Sequence, residues 1–373
     1  MSLVNIIEQH RVVVCVGSGG VGKTTTSAAI SVAAVNAGRR VLCLTIDPAK
    51  RLANSLGLAS FDAQEQQVDP ALLRAAGVDG KGSLHAMMLD MKGTFDELVH
   101  RYAHDDAQRE RILDNQLYRY VSTSLAGTQE YMAMEKLHAV RDRSEFDLIV
   151  LDTPPTTNAL DFLEAPQKLV GAIDSPMMRW FIETFQRSQA TGLLGKSAAL
   201  VLRGLSKFTG AQFLELVAEF IVEINALFGG FKQRAQAVYD DLRGDDVAFV
   251  IVTSPDQATV NEALYFGNRL REYDITPKAV VVNRVHQPLP PTLPSAQLVE
   301  ALAQHLPHED ATTLMPKLEQ AAQTAQHVAA QDRIGVNRLQ DNLDETLTFA
   351  EVPAFDTDVH DLKALYALTQ HFA

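Results

Sequence analysis

Cysteine is nearly absent from this 373-residue chain: Cys15 and Cys43 are the only two, and each lies inside an apolar run. Thiols so placed suit packing and offer neither a disulfide framework nor a metal cage of their own. Basic residues are also in deficit, 33 against 46 acidic, for a net charge of −13. That balance disfavours a nonspecific grip on DNA or on an anionic membrane, leaving at most a local basic patch. No stretch reads as a signal peptide or as a charge-free apolar run of about 20 residues, so the expected location is the cytosol. Internal repeats and low-complexity tracts are missing as well.

What the chain has is an apolar fraction of 46%, enough for a sizeable core. Its length fits two or three domains, or one large α/β domain with insertions. The organising stretch runs from Arg11 to Asp47. Val12-Val13-Val14-Cys15-Val16 is an unbroken apolar run of the kind that forms a parallel strand buried on both faces. Directly after it, Gly17-Ser18-Gly19-Gly20-Val21-Gly22-Lys23-Thr24 fits the phosphate-loop pattern G-x-x-x-x-G-K-[ST], and an alanine-rich helix from Thr24 to Asn36 is closed by Gly38. Glycines let consecutive backbone N–H groups turn inward around a phosphate, and the helix start adds its positive dipole end. Lys23 is expected to reach the β and γ phosphates, and the Thr24 hydroxyl to join a hydrated Mg²⁺ shell.

A second buried strand, Arg40 to Ile46, ends in Asp47; Gly82 to Asp90 offers a third. Helical patterns cover Lys92 to about Tyr120 and Thr128 to about Arg143. Phe146 to Leu151 is a strong strand ending in Asp152-Thr153-Pro154-Pro155, and later strands are Val247 to Thr253, Lys278 to Asn283 and Thr346 to Val352. The helix Asp256 to Tyr273 completes a further β-α-β unit. The whole reads as one doubly wound, mostly parallel α/β domain over residues 1–373 with a helical insertion at 166–244. A second, mainly helical excursion covers 286–339, opened by a proline-rich loop. The insertion carries Met177, Met178, Trp180, Phe181, Phe208 and Phe213, then a helix from Leu214 to Phe228 with Glu215, Glu219 and Glu223 on one wet face. Core packing and a groove for an apolar helix stand as equal readings of that segment.

Asp47 and Asp152 both end apolar strands, where open α/β sheets place their ligands. In phosphate-loop enzymes such carboxylates hold Mg²⁺ or orient the attacking water; either one alone also suits a helix cap or turn. The blocks Gly19 to Thr25, then Asp47-Pro48-Ala49 followed by Leu52, then Asp152 to Thr156 with Leu160 and Leu163, occur in order. In that order they resemble the ATPases of the arsenite-pump and tail-anchored-protein-targeting family. Leu84-His85-Ala86 with Leu89-Asp90, Gly127 with Glu130, Val282-Asn283 and Val352-Pro353 are similar to weaker family blocks.

The resemblance implies a phosphate-loop ATPase in which two subunits face each other across bound ATP. Asp47 is then the residue that positions the hydrolytic water, with Lys23 as its catalytic partner. Nucleotide contacts fall on Gly17, Ser18, Gly19, Gly20, Val21, Gly22, Lys23, Thr24 and Thr25, with Asn283 reading the adenine edge and Pro353 beginning a loop that packs on the base. Mg²⁺ falls to Thr24, Asp47 and Asp152. As a plain alternative, Asn283 is a strand-end turn residue. The implied client is an apolar helix of a membrane protein, with no nucleic acid and only indirect membrane contact.

Departures from the family pattern carry their own expectations. The family loop holds a second lysine where this chain has Ser18, so a cross-subunit charge is missing and either slow turnover as a homodimer or a related partner subunit bearing the lysine is implied. Lys50 and Arg51 stand nearby as substitutes. The family's Gly-His after the second switch is Thr157-Asn158 here. Two cysteines in neighbouring strands are too few for a thiolate metalloid site, and the absence of C-x-x-C removes a zinc clip and an iron–sulfur reductase. A positioning ATPase of the partition type is disfavoured because Asp358 to Phe372 carries Lys363 as its one Lys or Arg. A nucleotide-binding regulatory subunit of a heterodimer is the main alternative.

Overall fold

The apolar runs of the sequence lie side by side in one sheet. The computed structural model describes residues 2–46, 51–58, 63–124, 128–153, 236–290 and 295–372, with positions 171, 176, 183, 216–217 and 220–223 between them. Among these, the strands are β1 (Val12–Val16), β2 (Arg40–Thr45), β3 (Gln66–Gln67), β4 (Ser83–Met88), β5 (Leu148–Asp152), β6 (Val247–Thr253), β7 (Ala279–Val285) and β8 (Thr348–Pro353). Their order across the sheet is β3-β4-β2-β5-β1-β6-β7-β8. All neighbours are parallel except the short edge strand β3, which runs antiparallel to β4. From β1 the chain winds outward to β2 and β4, returns at β5, and crosses to the other side at β6; the order therefore reverses beside β1, where such sheets hold their ligands.

Period-2 alternation assigns the strand residues to two cores. On one face Val13, Cys15, Val41, Cys43, Leu148 and Val150 pack with helix α2 (Lys23–Asn36) and the first helix, α1 (Leu3–Gln9). The other face sends Val12, Val14, Leu42, Leu44, Ile149 and Leu151 against Met132, Leu137 and Val140, which belong to a helix spanning Thr128–Arg143. Helix α2 is buried nearly all round, which its small side chains allow: Ser27, Ala28, Ala29, Ser31 and Ala34 let strands and helices approach closely. Its carboxyl end turns through Gly38 at φ +90°.

The strands and the helix after β1 fall where the sequence places them, within one or two residues. Helices α3 (Arg51–Leu56) and α4 (Pro70–Ala75), like α1 and β3, are additions that the hydrophobic pattern did not announce. The helical pattern from Lys92 to Tyr120 is corrected to three helices: α5 (Met91–Tyr102), α6 (Asp106–Asp114) and α7 (Gln116–Ser124). Two side-chain caps divide them. Asp105 accepts from the Gln108 N–H at 2.7 Å, and Asn115 accepts from the Leu117 N–H at 2.9 Å. Each cap satisfies a helix-end donor in an extended residue and so starts a new helix. These helices close over a small separate cluster, Val99, Ile112 and Tyr118, against which Phe220 packs. Helix α8 (Thr128–Arg143) follows, and α9 (Gln257–Glu272), within one residue of the expected helix at each end, is capped by Asp256.

The excursion after β7 holds α10 (Ser295–Ala303) and α11 (His308–Asn342), the latter running three residues past the expected end and continuing through Pro316. Helix α12 (Leu362–Thr369) buries Leu362, Leu365 and Leu368 against the core that contains α2. Most of 166–244, including the methionine and aromatic positions named above, lies outside the described residues.

Helix α11 crosses the turn after β6 at Gly335, where an added Cβ falls 2.0 Å from the Pro255 carbonyl oxygen. Replacing glycine by alanine inside a helix normally gains about 1 kcal/mol. Here the backbone contact reverses the sign, so Gly335→Ala is expected to lower the melting temperature in a thermal denaturation series, while Gln320→Ala on the exposed side of the same helix leaves it within error. Burial pushes the Cys15 thiol up to about 12, and Cys43 is raised by the same cause. Both thiols are expected to resist alkylation at pH 8 in the native protein and to react fully in denaturant, as read by mass spectrometry.

Candidate active site

The loop from Gly17 to Gly22 folds over the carboxyl end of β1 at the reversal of strand order. Its first glycine is fixed by its neighbour: a Cβ on Gly17 would stand 2.0 Å from the Val252 carbonyl oxygen of β6. At the far end Gly22 is the N-cap of α2, with φ +96° and ψ +28°. A Cβ there would meet the Asn283 Nδ2 at 2.2 Å, so the position needs glycine both for its dihedral and for its space. The Lys23 side chain is buried, and its Nζ donates to the carbonyls of Gly17 at 2.8 Å and Ser18 at 2.7 Å. That places the ammonium across the loop, where phosphate oxygens would compete for it. The Ser18 hydroxyl, at the place of the missing family lysine, donates to the Glu262 carboxylate on α9.

Asp152 is fully buried at the end of β5. An ionised carboxylate there requires donors or a cation. Three hydroxyls supply donors: Thr24 Oγ1 to Oδ2 at 2.7 Å, Thr45 Oγ1 to the same oxygen at 2.9 Å, and Ser27 Oγ to Oδ1 at 3.4 Å. A hydroxyl and a carboxylate held that close form the hard-oxygen pair that Mg²⁺ takes, since this ion usually keeps waters and needs few protein ligands. Among the described residues no group of three or more His, Cys, Asp or Glu side chains gathers as a cage. An ion held by this pair would need its remaining ligands from phosphate and water. Asp47, with Pro48, Ala49 and Lys50, lies outside the described residues, as does the stretch from Pro154 to Leu163.

A cleft of about 550 Å³ opens beside the loop, within the range of small-molecule sites. Gly20, Gly22, Lys23, Thr24 and Thr25 line one side, and Asn283 and Pro353 another, so phosphate and base residues expected from distant parts of the chain share one space. Asn283 is buried at the end of β7. Its Nδ2 donates to the Val21 carbonyl at 2.9 Å, and its Oδ1 accepts from the Arg284 N–H at 3.0 Å. The amide thus ties the end of β7 to the phosphate loop, and Asn283 is a turn residue as well as a cleft residue. Arg284 itself turns at φ +61° beside a register shift between Val282 and Val285.

Several lining residues had no sequence motif of their own. Asn54 and Ser55 of α3 reach the cleft one turn after the Asp47 block. His286 lines it with its ring Nδ1 2.7 Å from Asp332 of α11. Phe355 lies edge-on to His371 with ring centres 6.0 Å apart. Thr45, two residues before Asp47, was read only as strand.

A glycine loop between the central strand and a buried helix, with a lysine across it and a carboxylate on the adjacent strand gripping the next threonine, defines a phosphate-loop nucleotide hydrolase. Comparison with known proteins narrows the class. Residues 10–292 match the ArsA_ATPase family, described as anion-transporting ATPase, and the chain belongs to that family: it binds nucleotide and hydrolyses ATP. It is 28% identical to the ATPase get3 of Aspergillus terreus over 298 residues, covering 76% of each chain. The ATPase GET3 of Podospora anserina is 28% identical over 275 residues, 74% of this chain and 73% of that one, and that of Malassezia globosa 24% over 293, 78% and 77%.

Gly22→Ala is expected to weaken ATP binding at least about tenfold in equilibrium titration, from the contact with Asn283 together with about 1–2 kcal/mol for the left-handed backbone. Adding Asn283→Ala relieves the contact and leaves the dihedral strain, so the double variant should recover only part of the loss.

Proposed function

We propose that the protein is a Mg²⁺-dependent ATPase that works as a nucleotide-sandwich dimer, and that its nucleotide state opens and closes an apolar helical surface which captures the apolar helix of a membrane protein. The reading places it in tail-anchored-protein targeting. The ATPase half rests on the family and on the Thr24–Asp152 pair, 2.7 Å apart beside the cleft. In this scheme the loop amides and Lys23 hold the phosphates, Asp47 orients the attacking water, and Asn283 with the loop after Pro353 receives the adenine. Thr24 with Asp152 would hold Mg²⁺, which would supply neutralisation of phosphate charge there.

The client half rests on one observation. Phe220, from within the insertion, packs on the small cluster of α5–α7, and Arg111 Nε meets Glu223 at 2.6 Å. That contact supports a helical layer built from two separate parts of the chain, one of them following β4 and the other following Asp152. The domain division of a single ATPase core with excursions at 166–244 and 286–339 belongs to the same proposal. Metalloid transport is disfavoured by thiols sealed inside the sheet. Membrane anchoring through α12 is disfavoured because its apolar face is packed against the core. No described helix is long and apolar enough to cross a membrane.

One observation favours a second reading, a regulatory subunit whose catalysis needs a related partner chain: Ser18 is paired with Glu262 where the family has a lysine. Steady-state ATP turnover at several protein concentrations, beside Asp47→Asn, separates the two. Turnover that rises with concentration and is lost in Asp47→Asn is expected. Tight ATP binding without turnover at any concentration would favour the regulatory reading, and a client-helix affinity that ignores nucleotide would reject the coupling.

A further inference from the structure

Thr45 has no part in the phosphate loop, yet its side chain, buried at the end of β2, makes one of the shortest contacts to the metal-site carboxylate. The β2–β5 register sets Thr45 directly opposite Asp152. Its hydroxyl donates to Oδ2 at 2.9 Å, the oxygen that also receives the Thr24 hydroxyl at 2.7 Å. One residue on, the Ile46 N–H donates to the Asp152 carbonyl at 3.3 Å, so side chain and main chain of Asp152 are both fastened to the same strand end. Thr24 approaches from the nucleotide side and Thr45 from inside the sheet.

We infer that Thr45 is a positioning residue for the ATPase reaction: its hydroxyl aims the Asp152 carboxylate at Thr24 and links that carboxylate to the end of β2. The reasoning is chemical. A carboxylate inside the sheet keeps one orientation only if its oxygens have fixed donors, and hydrogen bonds to a charged group are worth more than neutral ones. Thr24 stands at the start of α2 on the nucleotide side, whereas Thr45 belongs to the sheet itself. Ser27 reaches the other oxygen at a longer distance. Thr45 therefore holds Oδ2 from within the sheet, independently of the loop, and a displacement of Asp152 would act on the end of β2, two positions before Asp47 in the sequence.

The inference rests on the Mg²⁺-ATPase reading, and the test separates the two. Fluorescent ADP is titrated into the full chain with and without Mg²⁺, for wild type, Thr45→Val and Thr45→Ser, alongside turnover. Valine keeps the shape and removes the donor. Thr45→Val is expected to lose about tenfold or more of the Mg²⁺-dependent gain in ADP affinity and a similar factor in turnover, with Mg²⁺-free ADP affinity within about twofold of wild type. Serine is expected to restore both. A Thr45→Val protein with the full Mg²⁺ gain overturns the inference, as does one whose Mg²⁺-free affinity and melting temperature fall together while serine fails to rescue. A wild-type chain whose ADP affinity ignores Mg²⁺ overturns the metal reading and the role of Thr45 with it.

Discussion

Burying the Asp152 carboxylate is the constraint around which the centre of the molecule is arranged. A charge with no solvent exposure is tolerable only with its oxygens bonded, and the donors come from two elements that the chain must bring together first. Helix α2 supplies Thr24 and Ser27, and strand β2 supplies Thr45. Docking α2 that closely needs its small side chains, and starting it at Lys23 needs a glycine at position 22. The parallel register of β2 on β5 then decides which β2 side chain faces the carboxylate. The same contacts that satisfy the buried charge leave a hydroxyl and a carboxylate beside the phosphate loop.

Asn283 does a comparable job on the opposite side. By donating to the Val21 carbonyl it joins β7 to the loop across a long sequence separation. The bulge that follows it turns Arg284 and His286 toward the cleft, and His286 is steadied by Asp332 from α11. The cleft is thus walled by segments that are remote in the chain and adjacent only because the strand order reverses beside β1.

Much of this was legible in the sequence because it depends on local chemistry. Val12 to Val16, the glycine pattern and Asp152 at the end of an apolar run each announce themselves through composition and spacing, and family blocks added Asn283 and Pro353. What stayed hidden depends on contacts between distant segments. Nothing near Thr45 marks it, since a threonine is an ordinary strand residue until the register sets it against Asp152. The same holds for Asn54, Ser55 and His286. Short elements were missed for a different reason: α3, α4 and β3 are too brief for periodicity to register, and α4 is signalled only by its Asp69 cap and Pro70. The breaks at Asp105 and Asn115 were masked by apolar residues that continue a helical period across them.

The cluster of Val99, Ile112 and Tyr118 under α5–α7 is small beside the two sheet cores, and it is counted with neither of them. Apolar burial is the main force holding an element down, and its strength follows area. Helix α5 also sends Leu98 into a sheet core. The buried apolar residues described for α6 and α7, Ile112 and Tyr118, lie in this cluster, so these two helices are fastened less firmly than α2 or the strands, and the exposed Arg111–Glu223 pair adds little to that. Fastening is thus graded across the molecule, firm in the sheet and lighter in the helices over that cluster, and lightly fastened segments are where local opening costs least. In amide exchange that grading becomes a boundary: protection should drop on passing from α5 into α6 and return in α8, whose Met132, Leu137 and Val140 belong to a sheet core, so that one fold contains two clocks.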